Sequence, residues 1–513
     1  MNTAIFSIAT GLSRIAGLVR EVVAARYFGT SGPASAFTAA FQVPNLVRSL
    51  FADAALSAAF VPVFTELLER KQRKEALQLA GALFGLILVV LSVITVVFML
   101  AAGVIMPLFT DDPALDALTV GLSRVLFPIV ILLGLNGLLV GVLNAHDHFT
   151  IPAISPLVWN LVIIAALVGL TPLLAGDDQI YAYAIGVLAG TACQFAMAFP
   201  VLRRLHIPIR INLHWRDERI KRVLLLMLPV TIGLGLINFN LLINTFFGFR
   251  ISDEAPRALD LAFRIYMLPQ GMFSVAVATV LFPKLSRLVT RQDWDGLRAT
   301  QANGIRQIAL LLIPSAAFTI VLPEPIARLV YQRGEFDAES TRQVAEALFW
   351  FSFSLPFSGF NLLLTRTYFS LQKPWTPTAL AGVTLVINAA VSGALYGPMG
   401  IGGVVLGTVV ATAAMTVGQA YFLRRRTGGL QLGTTLRASA KMIFAAAILG
   451  VVAYGTWYVL DEALGRSLAA QIISVGSALT LGSAAYAAVV LALRVPEARQ
   501  IADLFAQRLR RAS

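Results

Sequence analysis

Cysteine occurs once in this 513-residue chain, at Cys193, which excludes an internal disulfide framework. Histidine is nearly as scarce, with four residues in all. His146 and His148 flank Asp147, yet the sequence offers no further ligand cluster beside them, so a solvated loop outweighs a metal centre. No Gly-Lys dipeptide exists, so there is no phosphate-binding loop and no sign of ATP hydrolysis. Charge is sparse too. Asp, Glu, Lys and Arg make up 13% of the chain, where a soluble globular protein carries about 25%.

Apolar residues fill the space that charge leaves. They account for 58% of the chain, and runs of about 20 residues, long enough to cross a bilayer, recur from end to end. QLAGALFGLILVVLSVITVVFMLAAG and AGVTLVINAAVSGALYG are clear cases, and about fourteen such segments are countable. The chain reads as an all-α polytopic membrane protein. Its first segment does not read as a cleaved signal peptide, because Arg14, Arg20 and Glu21 interrupt the apolar run. The net charge of +13 does not point to a nucleic acid partner, since the basic residues sit mostly in short loops where they face anionic lipid.

Loop charge alternates along the chain. ELLERKQRKEAL is basic and FTDDPALD acidic; AGDDQ is acidic and RRLHIPIRINLHWRDERIKR strongly basic. FLRRRTGGLQLGTTLR is basic, LDEALGRS acidic and the tail AQRLRRAS basic. Lys and Arg thus fall on every second connection, which implies an even number of spans with both termini cytoplasmic. In the tail Ile501, Leu504, Phe505 and Leu509 share one face, as in an amphipathic helix lying on the membrane surface.

A faint repeat divides the chain. Asn136 precedes Pro152 by the interval at which Asn361 precedes Pro377, and AAFVPVFTELLER resembles TVLFPKLSRLVTR around Pro62 and Pro283. Related halves are a mark of transporters with a site between two bundles. We therefore expect a six-helix lobe over 1–205, a second over 206–428, and a final helix pair with a basic tail over 429–513.

The placement of charge inside the apolar segments is the informative feature. SRIAGLVREVVAARYFG carries Arg14, Arg20 and Arg26 against one acid, Glu21. On an ideal helix Arg20 lies about 240° round from Arg14, so the two border a common arc of about 120° with Gly17 at its middle. Arg26 points elsewhere and reads as an interfacial anchor. The second segment adds Arg48 and Asp53, with Asn45 and Ser57 nearby, and the eighth adds Arg264 ahead of Pro269 and Gly271. A charge at mid-bilayer costs at least about 2.5–3.5 kcal/mol. Several arginines against few acids therefore require a polar cavity and an anionic visitor. Arginine suits phosphate, because its planar fork donates two parallel hydrogen bonds and stays charged. Asn244, Asn388 and Thr408 are polar positions in apolar spans and have two uses: oxygen ligands for a cation, or the commoner hydrogen bonds between helices.

These residues resemble the MurJ (MviN) family of lipid II flippases, within the superfamily that also holds polysaccharide flippases and MATE exporters. The resemblance is carried by SRIAGLVREVVAARYFG followed by AFQVPNLVRSLFADAALSAAFVPVFTELL, and supported by the segment from Arg264 to Pro283 and by TRTYFSLQKPWTP. It implies two six-helix lobes in a V around a central cationic cavity, with two C-terminal helices shaping a groove for a polyprenyl tail. It further implies a non-enzymatic protein of the bacterial inner membrane, a monomer, that serves peptidoglycan synthesis and so cell wall and cell shape. Its partners would be membrane lipids and lipid II, the undecaprenyl-diphosphate disaccharide-pentapeptide, which alternating access carries from the cytoplasmic to the outer leaflet. Arg14, Arg20, Arg48 and Arg264 match the family's cavity arginines, and Asn45, Asp53 and Ser57 stand beside them. No cofactor is implied, beyond a monovalent cation or the membrane potential as driving force. The chain departs from the family at Ser35 and Phe263, where members carry acids, and at Asn244 and Ser392, which stand at positions of the family's acidic cation ligands.

Rival readings fit less well. An exporter of cationic drugs would line its cavity with acids. A membrane-embedded enzyme acting on polyprenyl phosphates needs acids or histidines, and the candidate spans offer little beyond Glu21 and Asp53. A flippase for another polyprenyl-diphosphate saccharide differs only in headgroup, and a structural scaffold leaves the buried arginines unexplained. The topology is directly testable once Cys193 is replaced. Single cysteines in the 203–222 loop and at position 177 should label from opposite sides of the membrane, the basic loop from the cytoplasm. Labelling of both from one side would overturn the helix count.

Overall fold

The computed structural model describes residues 2–51, 53–110, 112–146, 148–208, 211–212 and 217–500. Within its helices the side chains of residues 2–8, 10, 48–51, 53–58, 226, 229–230, 233–234 and 237 are left out of the description. All regular structure among the described residues is helical. In order, the first helices are α1 (Asn2–Phe28), α2 (Gly32–Phe51), α3 (Asp53–Glu69), α4 (Arg73–Ile105), α5 (Pro113–Leu126) and α6 (Ile129–Ala145). Next come α7 (Thr150–Leu170), α8 (Tyr181–Ala196), α9 (Ala198–Arg204), α10 (Glu218–Phe249), α11 (Ala255–Pro269), α12 (Val275–Thr290) and α13 (Trp294–Val321). The chain continues with α14 (Pro323–Tyr331), α15 (Ala338–Ser352), α16 (Leu355–Ser370), α17 (Trp375–Thr427), α18 (Leu432–Leu464) and α19 (Leu468–Ala492).

Local chemistry sets many of these boundaries. Asp112, Asp217, Asp293 and Ser467 each accept a hydrogen bond from a first-turn amide of the helix they precede, satisfying one of its orphan donors. Glycines in the left-handed region, Gly428 (φ 73°) and Gly465 (φ 74°), end α17 and α18. A third, Gly400 (φ 56°, ψ −134°), breaks α17 internally, so its 53 residues form two helices.

Nine helices or helix runs among the described residues are long and apolar enough to span a membrane, and the pair α15 and α16, bent by 49°, makes a tenth. Counting both halves of α17, and adding α1, the α2–α3 run and α10, gives about fourteen spans. The polytopic all-α architecture is as expected.

Packing groups the chain into two compact units, one of residues 1–257 and 333–337, the other of 258–332 and 338–513. In the first of them α10 packs along α2 and α3. Asn45 Nδ2 on α2 faces Asn238 Oδ1 on α10 at 3.5 Å, and Thr245 Oγ1 donates to Gln42 Oε1 at 2.8 Å. Salt bridges pin the start of the same helix. Arg219 reaches Glu75 at 2.8 Å and Asp217 at 2.6 Å, and Arg222 reaches Glu66 at 3.0 Å. The Arg219 guanidinium holds the Asp217 carboxyl below its ordinary pKa, against the opposing effect of burial. Such a carboxylate contributes stability at neutral pH that is lost as the pH falls through its lowered value. At the far end of α10, burial first, then Glu254 and Asp112, push the Asp253 carboxyl up. The basic and acidic loops of this unit therefore stand at opposite ends of α10.

Elsewhere in the first unit, α7 and α8 approach closely because Gly186 and Gly190 leave room. A Cβ at Gly190 would lie 3.0 Å from the Trp159 carbonyl oxygen, and one at Gly186 would lie 3.3 Å from the Ile163 Cα. Small residues four apart are the usual device for close packing of helices in lipid, where the hydrophobic effect cannot drive association. In the second unit α18 and α19 use the same means, and a Cβ at Gly482 would lie 3.2 Å from the Ala453 Cβ and 3.3 Å from the Leu449 Cγ. Expected features in 501–513, including the amphipathic face, lie outside the described residues.

The segment 333–337, between α14 and α15, closes on the end of α1. Its Glu335 amide donates to the Arg26 carbonyl at 2.9 Å, and a Cβ on Gly29 (φ 54°) would lie 2.6 Å from the Glu335 carbonyl oxygen. Gly29→Ala should therefore destabilise the protein by at least about 1–2 kcal/mol, the cost of a side chain in the left-handed region. Gly11→Ala, in open space on the same helix, should be neutral or better. Thermal unfolding in detergent checks both; equal melting temperatures for the two variants would contradict the assignment.

Candidate functional site

The interior of the first unit holds a polar knot built on α1. Arg20 and Glu21 are consecutive, and both are buried, at 7% and 2% exposure. Arg20 Nε donates to Glu21 Oε1 at 3.1 Å, and Nη1 donates to Asn160 Oδ1 on α7 at 3.0 Å. Its guanidinium also lies 4.7 Å over the Trp159 ring, whose Nε1 donates to Thr191 on α8 at 3.1 Å. Tyr183 of α8 donates to Glu21 Oε1 at 3.1 Å, while its ring stacks on Phe37 of α2 with centroids 4.0 Å apart. The second Glu21 oxygen accepts from Arg257 Nη2 at 3.1 Å. Arg257, in the first turn of α11, is 3% exposed, and its amide donates to Ser35 Oγ on α2 at 3.2 Å. One carboxylate thus lies between two guanidinium groups, in a place where neither sign of charge is tolerable alone.

Asn160 is itself held from two sides, donating to the carbonyls of Pro156 at 2.9 Å and Ser13 at 3.3 Å. Gly17, midway between Arg14 and Arg20, would place a Cβ 3.8 Å from Asn160 Oδ1, so the small residue sits directly on the group that orients Arg20. Arg14, by contrast, is exposed and has no hydrogen-bond or ion-pair partner among the described residues. Arg26 is also exposed, toward the end of the helix.

The other expected site residues fall in three places. Arg264 on α11 bonds Asp260 one turn back at 3.0 Å and is half-buried. Arg48 lies on α2, and Asp53 and Ser57 on α3, with side chains outside the described residues. Asn45 is engaged with α10. After Arg264 the helix passes through a π-helical turn, Gln270–Ser274, which follows Pro269; such turns mark places where a helix bends.

The cation candidates divide as well. Asn244 is buried in the first unit. In the second, Asn388 Oδ1 accepts from the Ser392 hydroxyl at 3.2 Å and faces that of Thr408 at 3.5 Å. Ser392 also lies 3.1 Å from the Val404 carbonyl. Gly407 makes this closeness possible, since a Cβ there would fall 2.8 Å from Asn388 Oδ1. The group is neutral and its oxygens already serve one another, whereas hard cations favour several oxygens including carboxylate. These residues do not fit a tightly bound cation. His146 accepts a structural role, its Nδ1 lying 2.9 Å from the Val142 carbonyl at the end of α6.

Arg257, Asn160 and Tyr183 of the knot escaped sequence reasoning. Arg257 lies in GFRISDEAPRALD, a mixed-charge stretch that reads as a solvated loop; its signal was the seven-residue spacing to Arg264, which places both on one helix face. Asn160 was a lone polar residue in an apolar span, a signal of the kind that marked Asn244. Tyr183 carried none, because a tyrosine at a span end is ordinary; Ser35 was marked only by its departure from the family pattern.

About fourteen helical spans with charges buried and paired inside them define a polytopic membrane protein. Residues 24–473 match the family described as lipid II flippase MurJ. A probable lipid II flippase MurJ of Rhizobium meliloti is 32% identical over 407 residues, covering 78% of this chain and 76% of its own. The lipid II flippase MurJ of Burkholderia cenocepacia is 31% identical over 455 residues, 86% of each chain. Among solved structures, lipid II flippase MurJ in an inward closed conformation superposes with a TM-score of 0.79 at 22% identity, covering 95% of this chain and all of that one. An inward-facing MATE family multidrug resistance transporter of the MOP superfamily gives 0.67 at 15% identity, covering 83% and 94%. The chain belongs to the lipid II flippase MurJ family.

The geometry predicts unequal costs within the knot. Glu21→Gln leaves two buried guanidinium groups without their shared carboxylate and should destabilise by about 3–5 kcal/mol, the cost of breaking a buried ion pair. Combining it with Arg257→Gln removes one stranded charge and should recover part of that loss. Melting temperatures of the two singles and the double test this; strictly additive losses would show that Glu21 and Arg257 are not coupled.

Proposed function

We propose that this chain translocates lipid II, the lipid-linked peptidoglycan precursor, from the cytoplasmic to the outer leaflet of the bacterial inner membrane by alternating access. Family membership supplies the substrate class. The observation that carries the reading is the pair of arginines on α1. Arg20 is fixed in orientation by Glu21, Asn160 and Trp159, while Arg14, less than two turns away, has no partner among the described residues. A fixed guanidinium beside an uncommitted one suits a diphosphate, whose two negative groups accept parallel hydrogen bonds. We assign Arg48 and Arg264 to the same headgroup, with Asn45, Asp53 and Ser57 as further polar candidates. Both termini are assigned to the cytoplasm and the working form to a monomer. The neutral Asn388, Ser392 and Thr408 group gives no basis for a sodium requirement, which leaves the membrane potential as the driving force we favour.

Proteoliposomes test this. Alanine at Arg14, Arg20, Arg48 or Arg264 should weaken lipid II binding about tenfold or more, since each charge-assisted bond contributes about 1.5–3 kcal/mol. Arg20→Lys and Arg264→Lys keep the charge without the fork and should fall between. Arg26→Ala should bind and flip normally, and replacing sodium with a large organic cation should change the rate little. Normal flipping by all four alanine variants would contradict the diphosphate reading. A sodium requirement abolished by Asn388→Ala would contradict the account of driving force.

A further inference from the structure

We propose that the α13, α18 and α19 side of the second unit carries a separate binding site for the phosphate headgroup of an anionic phospholipid. A cavity of about 340 Å³ opens there, lined by Arg306, Arg437, Lys441 and Arg494, together with Gln431 and Thr434. Among the described residues no acid lines it. Arg306 is satisfied from behind by Glu497, which is fully buried and bonds its Nε. Lys441 gives one hydrogen bond to the Leu493 carbonyl at 2.9 Å and keeps its charge. Arg437 and Arg494 are exposed, and neither side chain has a partner among the described residues.

A further feature favours an anion. The cavity lies at the start of α18, a helix of 33 residues whose N-cap, Gln431, makes no side-chain capping bond, so the positive end of the helix dipole stands beside it without a side-chain cap. Arg494 stands in the left-handed region (φ 58°), where the Val495 amide bonds the Val490 carbonyl at 3.0 Å to end α19. The choice of a lipid over a soluble phosphate rests on what flanks the charges. Leu432, Leu436 and Leu491 are 40%, 66% and 40% exposed, giving acyl chains an apolar surface beside the headgroup site. The site shares no residue with the arginines of α1 and does not depend on lipid II as substrate.

The test uses the full-length protein in phosphatidylcholine nanodiscs containing a minor fraction of phosphatidylglycerol, with lipid retained on re-extraction counted by native mass spectrometry. Wild type should enrich phosphatidylglycerol over its bulk fraction. Arg437→Gln/Arg494→Gln should reduce that enrichment about tenfold or more, since each basic group near a charged surface contributes severalfold. Neither change strands an acid, so the fold should persist. Thr434→Trp, at an exposed lining position, keeps every charge but fills the cavity and should lose the enrichment too. Arg424→Gln/Arg425→Gln removes the same charge from the end of α17 outside the cavity and should not. The proposal is overturned if this control matches the cavity double variant, if Thr434→Trp retains full enrichment, or if inorganic phosphate displaces phosphatidylglycerol at comparable concentration.

Discussion

Glu21 presents one carboxylate to two guanidinium groups, Arg20 from its own helix and Arg257 from the start of α11, with Tyr183 sharing the first oxygen. Burying a charge in a membrane protein is permissible only where its partners are buried with it. That constraint organises the first unit. α7 must bring Asn160 and Trp159 against α1, α8 must supply Tyr183, and α2 must yield Ser35 to the Arg257 backbone. The glycines of α8 serve the same end, since the Gly190 approach to Trp159 sets the aromatic ring that covers Arg20. A strong polar contact and a set of small residues thus specify one another.

The spans were legible in the sequence because apolar length is a one-dimensional property. So were the glycine and Asp/Ser boundaries that follow from local backbone chemistry. The arginines of α1 were legible as anomalies, but their partners were not, since partnership across helices depends on rotation and register that no local pattern encodes. Arg20 and Glu21 are adjacent in sequence, and their pairing was foreseeable; Arg257 to Glu21 spans 236 positions and was not. Arg264 shows the intermediate case. Its partner, Asp260, lies one turn away on the same helix, a spacing that sequence shows directly. The packing of α10 along α2 and α3 was illegible for the same reason, since it depends on contacts across helices.

Departures from the family pattern are accommodated individually. Ser35 accepts a backbone amide in place of a side-chain cation. Phe263 joins an aromatic cluster with Tyr266 and Phe351, centroids 5.6 and 5.7 Å from its own. Ser392 closes a neutral hydrogen-bonded group with Asn388. Each of the three positions is neutral and engaged in local contacts. Glu21 and Asp260, two of the few acids on the spans, are each paired with arginine.

The central claim is that the arc between Arg14 and Arg20 receives the substrate's diphosphate. Gly17 lies at its middle, and a side chain there meets only ordinary van der Waals contact with Asn160. The most direct measurement is the alkylation rate of Gly17→Cys, in a background with Cys193 replaced, by a small membrane-impermeant maleimide with and without lipid II. The account predicts at least severalfold protection by lipid II and little by phosphatidylcholine. An unchanged rate under conditions where lipid II is bound would place the headgroup elsewhere and contradict it.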